Sequence, residues 1–204
     1  MSSVVYIDGQ NFLYKISEVL GKAGIITDQQ EICAIDIPFI INSFFNDDKI
    51  EIRYYGVKKI RQQDEYDDEI AEKSIRFANS QRQIRSYLKK AGVLFCPVGK
   101  LKVRERDECK KCGAIGYKFQ EKGVDVGLSV DIVKDVLTSG VGHVILLSSD
   151  TDIMPAIKVA KKAGARISYV GFQGNLTYAC SRFAHETKEI TLELAAEAYA
   201  RAKR

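Results

Sequence analysis

The stretch His143-Val144-Ile145-Leu146-Leu147-Ser148-Ser149-Asp150-Thr151-Asp152 decides the fold. Its first five residues are a continuous apolar run, the pattern of a strand buried on both faces of a parallel sheet. On either side of it, strand and helix patterns alternate. Val4 to Ile7 is a β-branched and aromatic run ending at Asp8-Gly9, and Phe12, Ile16, Val19 and Leu20 follow at helical spacing. A helix is expected over Cys33 to Phe45 and a strand over Ile50 to Val57. The acidic stretch Asp64 to Glu69 suits the start of a long helix that runs to about Lys90. Val93 to Val98 reads as a third strand. Further helices are expected from Val124 to Leu137, Asp150 to Lys162 and Asn175 to Phe183, with strands over Arg166 to Val170 and Lys188 to Leu192. This order implies an α/β fold, a parallel sheet flanked by helices on both faces and joined by right-handed crossovers. In such sheets chemistry collects beyond the carboxyl ends of the strands, near the point where strand order reverses.

A length of 204 residues suits one domain of ordinary size. With 46% hydrophobic and 28% charged residues, a disordered chain is excluded. The longest nearly uncharged stretch, Ile32 to Asn46, is too short for a bilayer span and contains Asp36, so no membrane segment is expected. Met1 to Ile7 has no basic residues ahead of its apolar run, so a secretory signal is not expected and a cytoplasmic location is. The domain is expected over residues 1–192, with an excursion at 99–122. Residues 193–204 form an amphipathic helix that either closes the fold or joins two copies into a homodimer.

The formal charge of +4 is unevenly placed. Lys100 to Lys122 holds eight basic and four acidic residues, and the rest of the chain balances at 23 of each. A basic segment on a neutral body suits an anionic partner such as nucleic acid, although a solvated loop has the same composition. Lys102, Arg104, Arg106 and Lys122 are the candidate nucleic-acid contacts. Tyr117 and Phe119 either stack on unpaired bases or anchor the excursion to the body.

Two expected strands end in acidic turns, Asp8-Gly9-Gln10-Asn11 and Ser148-Ser149-Asp150-Thr151-Asp152, on the same edge of the sheet. Asp125 stands at the start of the helix after the excursion. Each aspartate alone is explained as a helix N-cap. As a set without nearby Lys or Arg they repel one another, and a divalent cation offsets that. Oxygen ligands favour magnesium or manganese.

Tyr6-Ile7-Asp8-Gly9-Gln10-Asn11, Lys122-Gly123-Val124-Asp125-Val126-Gly127-Leu128-Ser129-Val130-Asp131 and Leu147-Ser148-Ser149-Asp150-Thr151-Asp152, with Pro155 soon after, resemble the NYN domain in its LabA-like branch, a relative of PIN-domain nucleases. Their order and spacing match from about Val4 to Leu192. The resemblance implies a PIN-like fold and a metal-dependent ribonuclease, an endoribonuclease acting on single-stranded or structured RNA with Mg²⁺ or Mn²⁺. It implies that Asp8, Asp125, Asp150 and Asp152 bind metal, with Asn11 supporting metal or substrate, and that all five are catalytic. Asp131 lies six residues after Asp125, about 240° round a helix, and reads as supporting or structural. His185 stands where many relatives carry aspartate, and reads as a surface or packing histidine.

Cys109-Lys110-Lys111-Cys112-Gly113 has the form of half a zinc site, with Cys96, His143 or a second chain as sources of further ligands. An unliganded turn or a redox pair are the alternatives. Rival readings of the whole chain are a catalytically silent RNA-binding or scaffold module of the same fold and a Toprim-like nucleic-acid enzyme. A haloacid-dehalogenase phosphatase would need a second aspartate where Gln10 stands, and a dinucleotide-binding fold would need a glycine-rich loop that is missing after Ile7.

Overall fold

A computed structural model describes residues 2–27, 32, 34–47, 49–58, 68–105, 113 and 116–203. The strands are β1 (Ser2–Asp8), β2 (Glu51–Val57), β3 (Leu94–Glu105), β4 (Tyr117–Lys122), β5 (Val141–Leu147), β6 (Arg166–Phe172) and β7 (Glu186–Ile190). The helices are α1 (Gly9–Lys22), α2 (Ile37–Asn42), α3 (Asp68–Lys90), α4 (Val124–Thr138), α5 (Met154–Lys162), α6 (Tyr178–Phe183) and α7 (Leu192–Ala202), with a 3₁₀ turn at Thr151–Ile153 ahead of α5. The seven strands form one sheet in the order β4-β3-β2-β1-β5-β6-β7. Every pairing is parallel except β3 with β4, which is antiparallel.

Strand alternation on β1 divides the interior into two cores. Val5 and Ile7 face one side, against Phe12, Ile16 and Leu20 of α1, the apolar residues of α2, Ile84 and Leu88 of α3, and Ala195 and Ala198 of α7. Val4 and Tyr6 face the other, against Val124, Leu128 and Ile132 of α4 and Ile157 and Ala160 of α5. Helices α1, α4, α5 and α7 present their buried residues mostly at intervals of three or four, which is the stripe a core-facing helix needs. A buried polar network ties α4 to the sheet. Tyr6 donates to Asp135 at 2.8 Å, Arg53 also pairs with Asp135, and Tyr55 donates to Asp131 at 3.1 Å. Asp131 is thus a structural acceptor.

The structure refines the expected elements in several places. The excursion is not a loop throughout: β3 continues seven residues past Val98 and pairs with β4 as an antiparallel arm, with Lys100 opposite Lys122 and Lys102 opposite Gln120. Leu101 and Val103 alternate with lysines and an arginine there, which is the period of a strand with one wet face. Helix α2 is shorter than Cys33 to Phe45, because Pro38 sits in its first turn and disfavours helical backbone before it. Helix α7 buries Ala195, Ala198 and Tyr199 in its own chain, packing against α1 and α2, and so closes the fold. Among the described residues no helix is long and apolar enough to cross a membrane.

Candidate functional site

From β1 the chain builds the sheet outward through β2 and β3, then returns to add β5 on the other side of β1. The strand order therefore reverses between β1 and β5, and a crevice opens beyond their carboxyl ends. Ile7 pairs with Leu147, so Asp8 and Ser148 leave the sheet side by side.

Asp8 occupies that crevice and is 8% exposed. One carboxylate oxygen accepts from the Asn11 backbone N–H at 3.1 Å, which caps α1, and the other accepts from the Ser148 hydroxyl at 3.4 Å. The same hydroxyl oxygen accepts from the Asp150 N–H at 3.1 Å. The Asn11 side-chain oxygen accepts from both the N–H and the hydroxyl of Ser149, at 3.1 and 3.0 Å. Because a backbone N–H can only donate, the oxygen end of that amide is fixed and its NH₂ is left as a donor. Thr177, at the start of α6, donates to the Ser149 carbonyl at 3.0 Å and holds the loop from behind. Gly9 is required at the corner: a Cβ there would lie 2.5 Å from the Tyr55 carbonyl oxygen, and Tyr54 donates to the Gly9 carbonyl at 2.9 Å.

Electrostatically the crevice is acidic. Burial above all raises the Asp8 pKa, and the Asp150 charge adds to it, against the lowering effect of the Asn11 N–H. Glu121 on β4 is pushed up to about 7, by burial first and by Asp8 second. The sequence reading missed Glu121. Its only signal is the alternation in β4, which puts Phe119 and Glu121 on the face opposite Lys122.

The other expected residues divide. Asp150 follows β5 and accepts from the Asp152 N–H at 2.9 Å, so it caps the 3₁₀ turn while its charge reaches Asp8. Asp152 is exposed. Asp125 lies in the first turn of α4, half-buried, and caps nothing, since the N-cap is Gly123 with φ of +79°. The capping account thus holds for Asp8 and Asp150 but not for Asp125. Lys102, Arg104 and Lys122 are exposed on the arm, on its face away from Glu121, and Lys100 joins them. Arg106, Cys109 and Cys112 lie outside the described residues, as do Cys33 and residues 64–67 of the acidic stretch. Of the suggested further zinc ligands, Cys96 is half-buried on β3, and His143 stands at the amino end of β5, bonded to Ser168 at 2.7 Å, whereas the excursion springs from the carboxyl end of the sheet. His185 accepts from the Ile167 N–H at 2.9 Å and steadies the edge strand β7.

Among the described residues no three or more His, Cys, Asp or Glu side chains converge tightly enough to cage a metal ion. The donors at the crevice nonetheless suit a hard divalent cation. Asp8 is buried beside the charges of Asp150 and Glu121, and no lysine or arginine pairs with it among the described residues. Magnesium is commonly held by one or two carboxylates, completed by water and substrate phosphate, so two acids suffice.

A crystal structure of a protein of unknown function from Vibrio parahaemolyticus is similar in fold, with a TM-score of 0.54 at 16% identity over 93% of this chain and 92% of that one. No curated protein matches the sequence. The sequence matches the NYN domain over residues 2–191, nearly its whole length. With its acidic crevice at the reversal of a PIN-like α/β sheet, the chain belongs to the NYN domain family, a branch of the PIN-like nuclease superfamily.

Proposed function

We propose that this protein is a metal-dependent ribonuclease that hydrolyses RNA phosphodiester bonds within the chain, at the crevice between β1 and β5. The observation that carries the reading is Asp8: a buried carboxylate at the strand-order reversal, repelled by Asp150, with no cationic side chain among the described residues paired with it. Charge arranged so unfavourably is characteristic of a functional site.

Asp8 and Asp150 would hold the ion, with Asp125 and Asp152 as candidates to complete the site or to orient water. Bound Mg²⁺ or Mn²⁺ supplies positive charge to the scissile phosphate and lowers the pKa of coordinated water. The protein's own part is placement. Asn11, held through its oxygen by Ser149, offers its NH₂ to a phosphate oxygen. Ser148 links the Asp8 carboxylate to the Asp150 backbone, so the two acids keep their separation. Lys100, Lys102, Arg104 and Lys122 neutralise phosphates remote from the reacting one as the strand crosses the arm, giving affinity without sequence readout. Lys100 faces Lys122 directly, an opposition that costs stability in the free protein and that a bound anion relieves. Zinc at Cys109 and Cys112, a LabA-like affiliation and a cytoplasmic setting remain part of the proposal.

The test is cleavage of end-labelled single-stranded and hairpin RNA by purified protein, beside Asp150→Asn. The wild type should cut, and the variant should lose at least about 100-fold in rate while still retarding RNA in a gel. Intact RNA with a gel shift by the wild type would reject the enzyme in favour of a binding module.

A further inference from the structure

A cavity of about 490 Å³ lies between α1, the middle turns of α3 and the inner face of the arm. That volume is typical of sites for small organic ligands and is far larger than an ion needs. It adjoins the acidic crevice, because Gly9 and Gln10, the residues after Asp8, form part of its wall, and so does Glu121.

Its lining is graded. Lys73, Arg76, Phe77, Gln81 and Ile84 of α3 all line it and recur at three- and four-residue spacing, so they form one stripe along the helix. The stripe passes from cations through an aromatic ring and an amide to an apolar side chain. Across from it, the ring of Phe119 lies parallel to that of Phe77, at 9° with centroids 6.3 Å apart. Tyr14 of α1 lines the cavity with 56% of its surface exposed. The Gln81 side-chain oxygen is buried without a hydrogen-bond partner among the described residues. A buried acceptor left unpaired is costly, and it points to a donor that arrives with a ligand.

We infer that this cavity receives one unpaired nucleobase of the RNA, adjacent to the scissile phosphate. The inference rests on the ribonuclease reading and extends it to a substrate subsite. A flat heteroaromatic ring is what Phe77, Phe119 and Tyr14 would stack on. An amino or ring N–H on the base satisfies Gln81, and Lys73 and Arg76 meet the phosphate that follows it. A purely apolar guest would leave the Gln81 oxygen unsatisfied. On this account the enzyme requires a base free to leave its helix, so loops and single strands are substrates and continuous duplex is not.

The test uses oligoribonucleotides of roughly ten nucleotides that differ only in the position of one abasic residue, bound to the Asp150→Asn protein so that the RNA stays intact. Affinity is read by fluorescence anisotropy. One abasic position should weaken binding about 5- to 100-fold, the worth of one stacked base. Phe77→Leu and Gln81→Leu, each checked for cooperative melting, should weaken binding of the intact oligonucleotide and cut the abasic penalty towards one-fold. Gln81→Leu removes an unpaired polar atom and should fold at least as well as the parent. A 2-aminopurine at the sensitive position should lose fluorescence on binding, and Phe77→Leu should restore it. An abasic penalty that is absent everywhere, or that stays unchanged in both variants, would overturn the assignment. Failure of the ribonuclease reading would appear separately, as wild-type protein that binds RNA without cutting it.

Discussion

The Asn11 side-chain oxygen accepts both the N–H and the hydroxyl of Ser149, so the corner after β1 and the turn after β5 are stitched together across the strand reversal. The two carboxylates of the proposed centre sit on opposite sides of that stitch, Asp8 before Asn11 and Asp150 after Ser149. Asn11→Ala removes two hydrogen bonds and leaves the Ser149 N–H to find water. Urea unfolding should show a loss of about 1–3 kcal/mol. RNA cleavage should fall about 10- to 100-fold, because the acids lose their fixed separation.

Asp8 has two jobs that its variants separate. Asn keeps the oxygen that caps α1 and removes the buried charge, so Asp8→Asn should melt at or above the wild-type temperature at pH 7 while losing at least about 100-fold in cleavage. Asp8→Ala loses the cap as well and should be about 1 kcal/mol less stable than Asp8→Asn. Scanning calorimetry with parallel cleavage assays checks both.

Glu121 imposes a pH dependence. Its folded-state pKa of about 7 lies above the ordinary 4.5, so the folded protein binds its proton more tightly than the unfolded chain does. The resulting stability is fully present below about pH 4.5 and is lost as pH rises towards and through 7, to a total of about 3 kcal/mol. Glu121→Gln should remove this slope and be the more stable protein at pH 8. Denaturation midpoints measured from pH 4 to 8 in EDTA check the sign.

The strip on the arm should act through charge alone. Replacing Lys102, Arg104 or Lys122 by Gln should weaken binding of all single-stranded RNAs alike, and each should reduce the slope of log affinity against log salt by about 0.7. A change confined to one RNA sequence would assign that residue to base reading.

What the sequence revealed follows from where the free energy is local. β1 and β5 are central and apolar on both faces, so Val4 to Ile7 and Val144 to Leu147 announce themselves, and the acids at their ends with them. The arm was obscured because Lys100, Lys102 and Arg104 read as solvent-exposed charge, although Leu101 and Val103 between them already alternate. Glu121 was unreadable for a different reason. An isolated glutamate in a basic segment suggests a surface residue, and its burial beside Asp8 arises only when β4 pairs with β3 and folds against α3, contacts far apart in the chain. The expected gathering of Asp125 and Asp152 with Asp8 rested on their places at expected strand ends and a helix start as well as on the resemblance, and in the structure the hydrogen bonds of the Asp8 carboxylate go to Asn11 and Ser148 instead.

If Asp8 and Asp150 form a metal-dependent RNA-cleaving centre, titrating Mn²⁺ into EDTA-stripped protein will set the initial rate of cleavage of end-labelled single-stranded RNA, and the same titration of Asp8→Asn and Asp150→Asn will not. No cleavage should occur before metal is added, the wild type should show a saturable rise with Mn²⁺, and both variants should give a flat line. Cleavage that persists in EDTA, or that either variant retains at the wild-type rate, would contradict such a centre.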